Sequence, residues 1–218
     1  MHAWKPVKEY LESTTFNRKR KTKDPCLGCG LHRTLCLCSE IPLLHLKTKV
    51  VLIAHRKELK RTTNTGQLAL KALTNSELRI RGTLDKEALD LSDLLTSNYE
   101  TILFYPSADA VELNGELIKK ILKPVQLLVP DGNWRQASKV FSRHPELHHM
   151  LKVKISTPNM AKLHLRAEHT ADGMATLQAI ALALGLLEGS YVESELLKLY
   201  DLKLKKTLVG RGKLLNLS

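Results

Sequence analysis

Five short apolar runs rich in β-branched residues alternate with segments of helical spacing. The runs cover residues 49–54, 78–80, 101–105, 125–129 and 151–155. Helical patterns fill most of the gaps, over about 65–74, 85–97, 113–122 and 133–143. Strands that alternate with helices favour a mostly parallel sheet with helices on both faces. The pattern therefore predicts an α/β fold.

The C-terminal part of the chain is predicted to be helical. Its apolar positions recur at the spacing of a helix face that would contact the sheet: Met174, Leu177, Ala181 and Leu184. Gly189 interrupts this pattern. Ser190 and Glu193 then form a capping-box pattern, which indicates the start of a last helix.

Composition narrows the class of protein. A chain of 218 residues suits one α/β domain, or one domain with a small appendage. It is 43% hydrophobic but only 5% aromatic, which predicts a sizeable, mainly aliphatic core. The formal net charge of +12 favours a polyanionic partner, either a nucleic acid or an anionic membrane face.

The sequence shows no membrane-spanning run and no signal peptide. The longest apolar stretch, 175–187, is too short to span a bilayer and is interrupted by Gln178 and Gly185. The first ten residues lack the apolar core of a signal peptide. We therefore expect a cytoplasmic protein with reduced thiols and no membrane-spanning segment.

All four cysteines of the chain lie within thirteen residues, at Cys26, Cys29, Cys36 and Cys38. Gly28 and Gly30 permit the tight turns of a metal knuckle. Four thiolates in a reduced chain predict a closed, structural Zn²⁺ site. Two disulfides or free thiols are the alternative, and an iron–sulfur cluster is a weaker one.

A basic run precedes the cysteines and includes Arg18, Lys19 and Arg20. Such a run is either a solvated tail or an arm that contacts phosphates, and the two interpretations are about equally supported. We expect residues 1–45 to form a basic arm with the zinc-binding element. Residues 46–218 would form the catalytic domain.

Polar groups follow several of the predicted strands. Residues 125–129 end in a Pro-Asp-Gly turn, Pro130 to Gly132, after which Trp134 and Arg135 open a helix. The carboxyl ends of strands in open α/β sheets are where ligands bind. An acid, an aromatic ring and a cation so close together suit a polar, flat substrate.

Three further segments carry candidate ligand contacts. Residues 55–67 include a cluster of basic side chains, among them Arg61, that could receive a phosphate. Asn64 or Thr65 in the same segment could cap the next helix. The segment Tyr105, Pro106 and Ser107 ends another strand, as an ordinary turn or a ligand loop. In segment 173–179, Gly173, Ala175 and Ala179 are small, which indicates close helix packing or permits close approach of a ligand.

Together these segments resemble the DTW-domain family, whose members are tRNA-uridine aminocarboxypropyltransferases. The resemblance runs from about residue 26 to 187 and covers the cysteine cluster and segments 55–66, 105–107, 131–137 and 175–179. Asn133 stands where the family's Asp-x-Thr-Trp pattern has threonine. Ala175 and Gln178 replace the serine and glutamate of its Ser-Thr-x-Glu-Ala pattern.

The resemblance implies S-adenosylmethionine as donor and N3 of a tRNA uridine as acceptor of the 3-amino-3-carboxypropyl group. It also implies a SPOUT-like fold with a C-terminal trefoil knot. The residues expected to bind the donor are Tyr105, Pro106, Ser107, Pro130, Asp131, Gly132, Ala175 and Thr176. Those expected to bind RNA are Arg18, Lys19, Arg20, Arg61, Asn64, Thr65, Arg135 and Arg166.

Asp131 and Trp134 are the candidate catalytic residues. Asp131 would take the proton of uridine N3 as a general base, or it would hold the donor's ammonium group or a ribose hydroxyl. Trp134 would stack on uracil or adenine, or pack within the fold. The competing functions are a SPOUT-type RNA methyltransferase and a non-catalytic, zinc-containing RNA-binding protein. The oligomeric state, monomer or homodimer, stays open.

Overall fold

The core of the protein is a six-stranded sheet whose strands all run parallel. The structure is a computed structural model, and its description covers residues 22–59, 61–82, 89–132, 134–156, 165 and 173–212, without the side chains of Trp134 and Arg135. The strands are β1 (Lys49–His55), β2 (Ser76–Arg81), β3 (Glu100–Phe104), β4 (Val111–Glu112), β5 (Val125–Asp131) and β6 (Leu151–Lys154). Their order in the sheet is β2-β1-β5-β3-β6-β4, and every pairing is parallel.

Helices cover both faces of this sheet. They are α1 (Gly66–Ala72), α2 (Gly115–Lys119), α3 (Trp134–Arg143), α4 (Thr176–Glu188) and α5 (Ser190–Gly210). On β5, Leu127 and Val129 belong to the main hydrophobic cluster, which also contains buried residues of α1, α4 and α5. Leu128, between them, belongs to a second cluster with Val140 of α3. The side-chain alternation of a strand thus separates the two faces, and the predicted α/β fold is confirmed.

Two details differ from the pattern in the sequence. The predicted helix over 85–97 is wrong where the chain is described: residues 89–91 are irregular, and only a single 3-10 turn, Ser92–Leu94, follows. The Asp90 carboxylate accepts from the backbone N–H of Ser92 at 2.9 Å, a local bond that competes with a helix. The two-residue strand β4 has no signal in the sequence because both of its residues are exposed.

The cysteine-containing segment packs onto the same core as the sheet. Leu31, Leu37 and Leu44 are buried members of the main cluster. The backbone of Leu44 joins that of Leu73 in a parallel bridge just after α1. The hydrophobic core therefore continues across residue 45, the domain boundary that the sequence predicts.

The connections leaving β1 and β5 diverge. After β1 the chain passes through α1 to β2, on one side of β1; after β5 it passes through α3 to β6, on the other side of β5. Such a switch point opens a crevice at the carboxyl ends of the two strands. The predicted knot concerns a region that includes residues 157–164 and 166–172, which lie outside the described part, and it stays a prediction.

Within the described residues, no helix combines the length and apolarity needed to cross a bilayer.

Candidate functional site

Asp131 lies at the switch-point crevice, as the last residue of β5. In the register of the sheet it pairs with Ala54 of β1. Because strand residues alternate between faces, its side chain lies on the same face as Leu127 and Val129, toward α1 and α4. Asp131 is only 5% exposed. A buried carboxylate is stable only with close hydrogen-bond donors or cations.

Both oxygens of the Asp131 carboxylate have such donors. The Asn64 amide nitrogen donates to Oδ2 at 2.6 Å, and the Thr176 hydroxyl donates to Oδ1 at 2.6 Å. Both lengths are at the short end for a hydrogen bond, as expected when the acceptor is charged. Three segments far apart in the sequence, before α1, at the end of β5 and at the start of α4, therefore meet on one carboxylate.

The two donors are themselves held in place. Asn64 Oδ1 accepts from the backbone N–H of Gln67 at 3.1 Å, so this side chain caps α1 and donates to Asp131 at once. The neighbouring Thr65 hydroxyl accepts from the backbone N–H of Leu177 at 3.2 Å, in the first turn of α4. Hydrogen bonds thus connect the starts of α1 and α4 to each other and to Asp131.

Gly66 allows α1 to approach the carboxylate. A Cβ atom at this position would lie 2.9 Å from Leu52 Cδ2 and 3.3 Å from Asp131 Cγ. The first distance is shorter than any ordinary van der Waals contact. A side chain at residue 66 would move α1 away from β1 and would lengthen the bond from Asn64 to Asp131.

The other residues predicted to bind the donor lie at the same edge of the sheet. Tyr105, Pro106 and Ser107 follow β3, which is the neighbour of β5. Tyr105 is half-buried, and burial raises the pKa of its phenol. Pro130, Gly132 and Ala175 are half-buried. Pro130 and Gly132 flank Asp131 in the sequence, and Ala175 precedes Thr176, whose hydroxyl donates to the Asp131 carboxylate. A ligand at the crevice would face the loops 105–107, 130–132 and 175–176.

The residues predicted to bind RNA are placed differently from one another. Arg61 is exposed and pairs with the buried Glu58 at 3.2 Å. Asn64 and Thr65 are buried within the Asp131 cluster, and their RNA contact stays a prediction. Arg18, Lys19, Arg20 and Arg166 lie outside the described residues, as do the side chains of Trp134 and Arg135.

A buried cation that the sequence did not reveal occupies the same edge. Arg81, the last residue of β2, is 6% exposed and donates from Nη1 to the Gln136 carbonyl at 2.9 Å. Burial, together with the nearby Arg143, lowers its pKa. His55, its neighbour in the sheet, also has a lowered pKa, mainly through burial and then through Arg81. Arg81 and the nearby Arg143 therefore place two cations near this edge, whereas the lowered pKa favours the neutral form of His55.

The four cysteines form a second site. Their sulfur atoms all lie within 4.8 Å of one another, and three of the pairs are 3.4, 3.7 and 3.9 Å apart. Four thiolates at about 2.3 Å from Zn²⁺ would be separated by about 3.8 Å in a tetrahedron. A Cβ atom on Gly28 would lie 2.5 Å from Cys38 Sγ, so this position has no room for a side chain. The cluster is compatible with zinc binding.

The four cysteines have different electrostatic surroundings. Donation from the Cys29 backbone N–H lowers the pKa of Cys26 to about 6, whereas burial raises the pKa of Cys38 to about 12. Lysines from two helices contact the carbonyls of the segment: Lys71 to Gly28, Lys203 to Cys29 and Lys206 to Cys36. The sequence offered a signal for Lys203, since it continues the apolar face of Leu196, Leu199 and Tyr200 at helical spacing.

The hydrogen bonds that Asn64 and Thr176 donate to Asp131 are called the Asp131 clasp below. Replacing Thr176 by valine tests this clasp by a measurement of stability alone. The substitution keeps the shape of the side chain but leaves Oδ1 of a buried carboxylate without this donor. We expect the free energy of unfolding in urea to fall by about 2 kcal/mol. Thr176→Ser, which keeps the hydroxyl, should lose much less. Equal stability of Thr176→Val and the wild type would show that the contact contributes nothing.

Comparison with known proteins identifies a family for this chain. The family model of the DTW domain matches residues 23–208. Curated relatives from Macaca fascicularis, Drosophila melanogaster and Mus musculus, each called tRNA-uridine aminocarboxypropyltransferase 2, are 27%, 28% and 26% identical to the chain. The alignments cover 82%, 79% and 75% of this chain but 61%, 68% and 56% of the relatives.

No solved structure gives a significant match. The match to the family model extends from just before the cysteine cluster to the last turns of α5 and includes the whole Asp131 clasp. The chain therefore belongs to the DTW domain family.

Proposed function

We propose that this protein is an enzyme that transfers the 3-amino-3-carboxypropyl group of S-adenosylmethionine to N3 of a uridine in tRNA. The name of its relatives supports the tRNA-uridine substrate and the transferred group. The observation that carries the proposal is the buried Asp131 carboxylate, fixed by Asn64 and Thr176 at the switch-point crevice. Such crevices are the ligand sites of open α/β sheets.

The reaction joins uridine N3 to the γ-carbon of the donor and breaks the bond from that carbon to the sulfonium sulfur. The neutral thioether leaves with the bonding electrons, and the N3 proton passes to a base or to water. A sulfonium is already a good leaving group, so the positioning of the two reactants supplies much of the rate enhancement. The protein's main task is then to hold the donor with its γ-carbon facing the uracil.

Asp131 is proposed to hold the donor rather than to accept the proton. The Asn64 amide and the Thr176 hydroxyl each donate to one of its oxygens and so fix the carboxylate as an acceptor at the crevice. A carboxylate oxygen can accept more than one hydrogen bond, so these two contacts do not by themselves exclude a ligand. An ammonium group or a ribose hydroxyl of the donor is the partner that this arrangement favours.

The remaining predicted residues complete the proposal. The loops 105–107, 130–132 and 175–176 would cradle the donor, and Asn64 and Thr65 would act by positioning Asp131 and α4. Trp134 would stack on a base, while Arg18, Lys19, Arg20, Arg61, Arg135 and Arg166 would contact the RNA. The net charge of +12 supports a polyanionic partner. We keep residues 1–45 as the basic arm with the metal element, 46–218 as the catalytic domain, and the cytoplasm as the compartment.

The cysteine cluster is proposed to bind one structural Zn²⁺. Support comes from four sulfur atoms at the separations of a tetrahedral site. A set of four cysteines leaves no open coordination position, so the metal would stabilise the fold and take no part in the transfer. It would fix the basic arm beside α1 and α5.

Incubation with S-adenosylmethionine and bulk tRNA, followed by mass spectrometry of the nucleosides, tests the activity. We expect a uridine that carries the aminocarboxypropyl group. A methylated nucleoside instead would identify a methyltransferase. If the protein binds tRNA but leaves both the nucleosides and S-adenosylmethionine unchanged, it is a binding protein and the proposal is wrong.

Asp131→Asn separates the two roles of the carboxylate. Because the variant is neutral, an ammonium group would lose its counter-charge. We expect S-adenosylmethionine to bind about 10-fold or more weakly in calorimetry, with turnover reduced as well. Asp201→Asn, an exposed change on α5, is the matched control and should leave both values unchanged. Normal donor affinity combined with lost turnover would instead assign Asp131 as the general base.

Elemental analysis tests the metal. We expect about one zinc per chain, and a chelator that removes it should lower the thermal unfolding temperature, because metal binding is coupled to folding. Cys29→Ser should reduce the zinc content, whereas Ser142→Ala, an exposed change on α3, should not. Purified protein with no metal and four freely titrating thiols would refute the zinc site.

A further inference from the structure

Lys203 is a lysine in the interior of the protein. It lies on α5, in line with Leu196, Leu199 and Tyr200, and is 2% exposed. An ammonium group in the protein interior is unfavourable unless an opposite charge and hydrogen-bond acceptors compensate for lost water. A charged Lys203 therefore requires negative charge and acceptors close to its Nζ atom.

The acceptor of Lys203 belongs to the cysteine segment. Its Nζ atom donates to the Cys29 carbonyl at 2.8 Å. No carboxylate among the described residues forms an ion pair with it, in contrast to Lys206, which pairs with Glu40 at 2.7 Å. Burial lowers the pKa of Lys203, and the nearby thiols of Cys29, Cys38 and Cys26 oppose this shift. Compensation of its charge thus depends on the cysteine cluster being anionic.

Two further lysines are oriented in the same way. Lys206, one turn further along α5, donates to the Cys36 carbonyl at 2.8 Å, and Lys71 of α1 donates to the Gly28 carbonyl. Zn²⁺ with four thiolates has two net negative charges, whereas a pair of disulfides or four protonated thiols has none. Of the three ammonium groups around the segment, Lys206 is already paired with Glu40; the other two match the two negative charges of the metal-bound state, whereas a neutral state offers none.

We propose that Lys203 is the buried counter-charge of the cysteine site and that it sets the affinity of this site for its metal. The inference rests on the proposed zinc centre and goes beyond it, because it gives a residue of α5, far from the cysteines in sequence, a part in metal binding. The carbonyl that Lys203 contacts belongs to a metal ligand, so the ammonium also fixes the position of Cys29. Groups that orient ligands in this way contribute measurably to metal affinity.

The test compares two lysine-to-methionine variants of the same helix. Lys203→Met removes the buried charge, and Lys205→Met removes an exposed one two residues away. With Zn²⁺ as the probe, competition against a chromophoric chelator should show binding about 10- to 100-fold weaker in Lys203→Met. Lys205→Met should bind zinc like the wild type, since both variants lose the same formal charge and only one loses the contact.

Thermal unfolding gives an independent readout. With zinc bound, Lys203→Met should unfold at a lower temperature than the wild type. With zinc removed by chelator, it should be at least as stable as the wild type, because an uncompensated buried charge has been replaced by an apolar side chain. A variant that is destabilised equally with and without zinc has lost only packing, and this result would overturn the inference.

Zinc affinity in Lys203→Met equal to that of the wild type would also overturn the inference while leaving the zinc centre intact. A wild-type protein that takes up no zinc would instead refute the centre itself. If Lys203→Met does not fold, Lys206→Met takes its place. We expect a smaller loss of zinc affinity there, since Lys206 is 23% exposed and shares its charge with Glu40. Unchanged affinity in that variant would then decide against the inference.

Discussion

A carboxylate buried at the carboxyl edge of the sheet is the constraint on which the rest of the site depends. Asp131 is at the end of β5 and has donors on both oxygens, from segments 67 and 45 residues away in sequence. Without them the negative charge would be too costly to bury. Folding of β5, α1 and α4 around this charge therefore fixes the starts of both helices. The positions of the helices in turn determine those of the surrounding loops.

Helix α1 connects this site with the cysteine cluster. At its start, Asn64 and Gly66 determine how closely the chain approaches Asp131. At its end, Lys71 donates to the Gly28 carbonyl, and the Ala72 carbonyl accepts from the backbone N–H of Leu44 at 2.8 Å. Seven helical residues span only about 10 Å. A structural metal held by the cysteines would therefore stabilise the element that positions the Asp131 clasp, without any part in the chemistry.

Much of this architecture could be predicted from the sequence, and the reasons are physical. The apolar runs mark the five longer strands, most clearly β1 and β5, whose two faces are both buried. The cysteine spacing reveals a compact four-sulfur cluster. The helix predicted over 85–97 was wrong from residue 89 on, because Leu91 and Leu94 also fit one buried turn. The partners of Asp131 could not be paired in advance, since only the strand order brings residues 64, 131 and 176 together. Lys203 was missed although its helical register indicated burial.

The burial of Lys203 changes how the net charge of the protein should be understood. A formal charge of +12 suggests a uniformly basic surface, but three lysines face the cysteine segment, and a zinc tetrathiolate would offset two of their charges. The cations available to a polyanion are therefore fewer than the composition implies. The exposed cations that follow the carboxyl end of β1, such as Lys57, are then more important, because they lie at the edge that carries Asp131. Attraction of a polyanion to this protein would then be strongest close to the crevice, where the potential of several like charges adds up.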